Sequence, residues 1–210
     1  MEGRARQAGV TLIELLVVIL IASIVSGALL LTWFSLNDSY SFTTRSSKAQ
    51  DFARDAVARM GRELRDAEPK GGDLAVLYAD SDEIRFTTTF NEQGNESRQV
   101  EPVLTRYYYQ WDDARSVGEL HRVRGESDRI VVDNLLNPLG PDGDGSADIF
   151  RYAYVSTNGD YVPAAQTPEP DMYGTISLIR IHLSVDLNPE SAPQPMKVST
   201  TVHLRNQNIY

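Results

Sequence analysis

The 210-residue sequence predicts an α+β protein in which one long N-terminal helix, membrane-spanning in its first half and amphipathic in its second, packs on an antiparallel β-sheet head. Three observations carry this. Residues 15–37 form an uncharged run of 23 residues. From residue 37 to 68 apolar side chains recur at three- and four-residue steps, and beyond Gly72 the hydrophobic period falls to two.

The composition sets outer bounds. With 41% hydrophobic and 23% charged residues the chain supports one domain with a sizeable core plus an appendage. A formal net charge of −9 argues against a general phosphate-backbone binder, so no direct nucleic-acid partner is expected. The absence of cysteine removes disulfides, thiolate metal sites and cysteine nucleophiles, and says nothing about compartment.

As a helix, the uncharged run reaches roughly 34 Å at about 1.5 Å per residue, enough for a hydrocarbon core of about 30 Å. Arg4 and Arg6 precede it and no Lys or Arg follows until Arg45. The positive-inside rule therefore places residues 1–9 in the cytoplasm and the bulk of the chain outside. The run is longer than the usual h-region of a secretory signal, and cleavage near Ser26-Gly27-Ala28 would leave an apolar stretch at 29–34 unexplained. One acid, Glu14, stands one turn inside the apolar segment. A carboxylate in hydrocarbon costs some kilocalories per mole and usually marks a partner or a function.

Around that acid the order is Gly9-Val10-Thr11-Leu12-Ile13-Glu14-Leu15-Leu16-Val17, behind a short basic leader and ahead of the apolar run. This resembles the type IV prepilin signal: a Gly before the cut, an apolar first residue and Glu as the fifth mature residue. Val10 departs from the commonest Phe. The resemblance implies that a membrane aspartyl prepilin peptidase cuts between Gly9 and Val10 and N-methylates Val10, leaving the helix in the product. It also implies that the Glu14 carboxylate meets the N-terminal amine of a neighbouring subunit's first residue in a fibre of packed helices, a pairing that offsets desolvation in low dielectric.

The second helical half places Phe42, Ala49, Phe52, Ala53, Val57, Met60 and Leu64 on the core stripe, with Arg45, Lys48, Asp51, Arg54, Asp55, Arg59, Arg62 and Glu63 on the remaining faces. Glu68-Pro69 followed by Gly71-Gly72 stops it. Asn37-Asp38-Ser39 leaves open both a continuous helix and a kink. The expected divisions are a leader at 1–9, a transmembrane or fibre-core helix at 10–36 with apolar ends at Val10 and Phe34, an amphipathic helix at 37–68 and a β-rich head at 69–210.

In the head, Ile84, Phe86, Thr88 and Phe90 alternate with polar partners, as do Tyr107, Tyr109 and Trp111, then residues 179–187 and 198–204. Clean alternation means strands with one wet face, hence antiparallel sheet. Shorter strands are expected at 74–78, 119–124, 129–132 and 149–155. The Pro-rich stretches 162–171 and 188–195 are read as connections. A long Arg- and Ala-rich helix before a mostly β head resembles the J-type minor pseudopilins of type II secretion and the W-type minor pilins of type IV pili.

Three acids on a Gly/Pro scaffold, Asp142, Asp144 and Asp148, with Ser146, supply the oxygen ligands calcium wants; a solvated acidic turn accounts for them as well. The EF-hand template fails, because Ala147 stands where its Gly belongs and Ala153 where its Glu belongs. No cofactor is expected beyond this candidate calcium. His121, His182 and His203 are read as exposed-face residues, and Tyr107, Tyr108, Tyr109 and Trp111 as structural aromatics. No hydrolase elbow, metalloprotease helix or phosphate loop stands out, so no enzyme is expected.

The resemblance implies a minor pilin or pseudopilin that takes part in initiation or tip assembly of a type IV pilus or secretion pseudopilus. It would reside in the inner membrane with its head outside, then in the filament. Its partners would be the prepilin peptidase, other major and minor subunits, and an assembly platform with its ATPase. The alternative is a single-pass, membrane-anchored extracytoplasmic binding module, with or without calcium.

Overall fold

The computed structural model describes residues 11–90, 101–115, 117–137, 148–155, 160–163, 168–186 and 195–205. These fall into two compact units, one within residues 1–44 and one within 45–210. Helix α1, Leu12–Arg65, contributes to both and is helical through residues 37–39 without a break.

In the first unit every described residue up to Tyr40 is exposed, and the helix is long and apolar enough to cross a membrane. Two of its hydroxyls are satisfied internally: Ser23 Oγ donates to the Ile19 carbonyl at 2.8 Å and Thr32 Oγ1 to the Ala28 carbonyl at 2.9 Å. Such back-bonding lets polar side chains sit in an apolar surface without an orphaned donor.

The second unit is a nine-stranded antiparallel sheet with the last turns of α1 against it. Its strands are β1 Val76–Ala79, β2 Glu83–Thr88, β3 Val103–Asp112, β4 Val117–Arg124, β5 Ser127–Leu135, β6 Phe150–Val155, β7 Tyr161–Pro163, β8 Ile176–Asp186 and β9 Pro195–His203. The order is β1-β2-β3-β4-β5-β8-β6-β7, with β9 on β8. The β4–β5 hairpin turns at Gly125, whose φ of 60° is the conformation that glycine adopts without a Cβ penalty. Strand β7 and a 3-10 turn at Pro170–Thr175 occupy part of the stretch read as a bare connection.

The end of α1 is closed by β2. Thr88 Oγ1 donates to the Glu63 and Asp66 carbonyls at 2.8 and 3.0 Å, and Thr87 Oγ1 to the Glu68 carbonyl at 2.6 Å. A helix C-terminus leaves carbonyls without intrahelical donors, and here a strand supplies them in place of water.

Two positions depart from the expected helix face. Phe52 is 66% exposed and Glu63 is fully buried. The buried stripe runs through Ala53, Ala56, Val57, Met60 and Leu64, about 100° around from Phe52, and Glu63 shares that stripe because the sheet answers its charge. Of the four aromatics at 107, 108, 109 and 111, only Tyr107 is fully buried; Tyr109 is half-buried and Trp111 exposed.

Candidate functional site

The chemistry at the N-terminus is built by the first helical turn. Thr11 precedes α1 and Glu14 is its third residue. The Glu14 Oε2 atom accepts the Thr11 backbone N–H at 3.0 Å and the Thr11 hydroxyl at 3.1 Å, while the Glu14 N–H donates to Thr11 Oγ1 at 3.3 Å. This is a reciprocal capping box that satisfies orphan donors at the helix start. The helix dipole adds a partial positive charge where the carboxylate sits. Both Thr11 bonds fall on Oε2, so among the described residues Oε1 accepts no hydrogen bond.

Sequence reading placed Glu14 as an acid in need of a partner and missed the cap. The signal was present, since Thr11-Leu12-Ile13-Glu14 is the S/T-x-x-E spacing of a capping box. Gly9 and Val10 lie outside the described residues, whereas Phe34 lies exposed on α1.

The other candidates divide. Asp142, Asp144 and Ser146 lie outside the described residues. Asp148 is buried and its Oδ2 accepts from Arg151 Nε at 3.3 Å. Among the described residues no group of three or more His, Asp or Glu side chains is arranged to hold a metal ion. His182 and His203 are not brought together, because His182 pairs across from Ser199 and His203 across from Leu178.

His121 is not on a free face. Its ring stacks on Tyr108 at 5.0 Å, with Nδ1 3.1 Å from Asp128 Oδ1 and Nε2 3.1 Å from Glu119 Oε2. It belongs to a chain of charged and aromatic groups across β2–β5. Arg106 lies over the Tyr108 ring at 4.1 Å and grips Glu83 with two bonds of 2.7 and 2.8 Å. Burial pushes the Glu83 carboxyl up, and the bonds from Arg106 and Arg85 more than offset that, so it titrates below the ordinary range. These pairs knit the sheet surface.

Residues 4–30 match the prokaryotic N-terminal methylation motif. No curated protein and no solved structure matches the chain. A motif of this kind implies processing by prepilin peptidase and assembly with other pilins. It covers Glu14 and runs into an exposed apolar helix capped by Thr11, followed by an antiparallel β head: the chain carries the N-terminal methylation signal of type IV pilins and pseudopilins.

Proposed function

We propose that the protein is a minor pilin or pseudopilin, cut between Gly9 and Val10, N-methylated on Val10, and recruited into a complex that starts or caps a filament. The observation that carries this is the methylation motif continuous with a helix whose apolar surface is exposed among the described residues. In the membrane that surface faces lipid, with residues 1–9 cytoplasmic and the head outside. In the filament it faces the helices of other major and minor subunits.

An assembly platform and its ATPase move the helix from lipid into that bundle. Apolar surface is exchanged for apolar surface, so packing and polar pairing drive the transfer rather than ordinary hydrophobic burial. The Glu14 carboxylate then pairs with the N-terminal amine of a neighbouring subunit. Its Oε2 stays with Thr11 while Oε1 takes the amine, so one side chain holds both its own helix start and the axial register.

The test is the mass and N-terminal sequence of the protein purified from native membranes, with and without prepilin peptidase. A chain beginning at N-methyl-Val10 only when the peptidase is present is the expected result. An intact Met1, or a start near Ala28, would overturn the reading in favour of a tethered or secreted binding module.

A further inference from the structure

Strand β5 has an open edge. On one side it pairs with β4 along its length, from Arg124↔Ser127 to Gly118↔Leu135. On the other side, β8 meets it only at Leu135↔Val185, and Leu136 N–H donates to the Ser184 carbonyl. Among the described residues no strand covers Ser127–Asn134 on that side. In the hairpin register Arg124 and Ser127 flank the turn as a hydrogen-bonded pair, so Asp128 and Ile130 occupy the alternate positions whose N–H and C=O face away from β4. Ile130 is 50% exposed, and neither proline nor lysine interrupts β5. An exposed edge of this kind is a template for strand pairing.

A groove runs beside this edge between β5 and α1. It has a volume of about 400 Å³ at one end, with a smaller recess of about 160 Å³ continuing it, and Phe52, Ile130 and Val131 line both. Its charge is lopsided. The two acids that line it are already engaged, Asp55 with Arg59 at 3.8 Å and Asp133 with Arg115 at 2.5 Å. Lys48 and Arg129 meet no carboxylate among the described residues; Arg129 bonds only the Ser127 hydroxyl, at 3.2 Å. Two cations without counter-charges beside an apolar groove, on a chain of net charge −9, complement an acidic segment rather than a basic one.

We propose that the β5 edge and the α1/β5 groove accept an extended, acidic and apolar segment of a partner polypeptide, which adds to the sheet as a strand. Main-chain bonds to Asp128 and Ile130 supply affinity, Phe52 and Val131 receive the apolar side chains, and Lys48 and Arg129 receive the acids. The inference concerns the head alone and does not rest on cleavage at Gly9, which the N-terminal mass tests separately.

The experiment is photo-crosslinking of the full chain in its native membranes, with p-benzoylphenylalanine replacing Phe52 and, as control, Leu77 on β1. The expected adduct from position 52 is one contiguous, acid-containing segment of another protein, absent from position 77. No adduct above the control, an adduct with lipid only, or an adduct with a second copy of this chain overturns the proposal. Ile130→Pro then tests the main-chain part, since it removes an outward N–H without touching a β4 rung. With the melting temperature unchanged, the adduct is expected to fall about tenfold, the loss of one well-placed hydrogen bond. An undiminished adduct means side-chain docking without an added strand and overturns it. Lys48→Glu with Arg129→Glu serves as a second variant that leaves the backbone intact; it too must weaken the adduct.

Discussion

Glu63 on α1 and Arg122 on β4, 59 positions apart, form a buried ion pair: Arg122 Nη2 lies 2.5 Å from Glu63 Oε1 and Nε 3.2 Å from Oε2, with the side chains 6% and 0% exposed. The Tyr107 hydroxyl donates to the same Oε2 at 2.8 Å. Burial, then the Glu63 charge, hold the Tyr107 hydroxyl well above its ordinary pKa, so it remains a donor across the physiological range. Three groups from three elements thus fix where the helix lies on the sheet.

Removing one member of this network should cost far more than removing the network. Glu63→Ala takes from the buried Arg122 the carboxylate that it bonds twice, and a loss of about 3–5 kcal/mol is expected. For a head of this size that lowers the melting temperature by on the order of 10 °C. The double variant Glu63→Leu with Arg122→Met, apolar on both sides, should recover most of the loss. Thermal unfolding of the full chain in detergent, followed by near-ultraviolet circular dichroism, measures both. A single variant as stable as the parent would show the pair to be dispensable.

A backbone constraint gives a second prediction at Gly118. A Cβ there would lie 2.6 Å from the Leu135 carbonyl oxygen and 2.6 Å from the Tyr109 ring. The register shifts between Gly118 and Leu120, so β5 crosses close over this residue. Gly118→Ala should therefore destabilise by about 1–3 kcal/mol through overpacking. Gly27, which has nothing within 4 Å, is the control: its alanine variant should leave the melting of the head unchanged. Equal melting of the two variants would refute the close approach.

The contrast between these sites shows what a sequence reveals. The alternation at 179–185 and 198–202 reports β8 and β9 directly, because period two follows from the pleat and needs no knowledge of the partner strand. The capping box at Thr11 and Glu14 is equally local, a four-residue spacing open to inspection. Glu63 is different. It stands beside Arg62 as one more charged residue of an amphipathic helix, and its burial depends on an arginine in a strand two hairpins away. Phe52 is the same case in reverse, an apolar residue off the buried stripe by one position. Strand β7 hid in a Pro-rich stretch because three residues against β6 give too short a run to show a period.

His182 supplies a pH prediction. Burial, then the charges of Lys197 on β9 and Arg151 on β6, push its pKa below the ordinary value of 6.5. The unfolded chain therefore binds a proton at a higher pH than the folded one. Stability from this residue is present above pH 6.5 and is lost as the pH falls through 6.5 toward the folded pKa. His182→Gln should flatten the decline of melting temperature between pH 7 and pH 5. If parent and variant fall in parallel over that window, the acid sensitivity lies elsewhere.

The two functions assigned to Glu14 can be separated by substitution. Glu14→Gln keeps an oxygen that accepts the Thr11 N–H but carries no charge, whereas Thr11→Val removes the hydroxyl and leaves the charge. Loss of the cap costs the helix start about 0.5–2 kcal/mol, which the surrounding lipid or fibre absorbs by holding the helix in place. Loss of the charge removes the only carboxylate in residues 11–37 that a neighbour's amine can meet. Both variants should insert in the membrane at parental levels. Glu14→Gln and Glu14→Ala should be depleted from sheared filaments or partner complexes to a similar degree, while Thr11→Val should be incorporated nearly as the parent. Quantitative immunoblots of membrane and filament fractions decide it: if Thr11→Val is lost and Glu14→Gln retained, the carboxylate acts by capping its own helix and not by pairing between subunits.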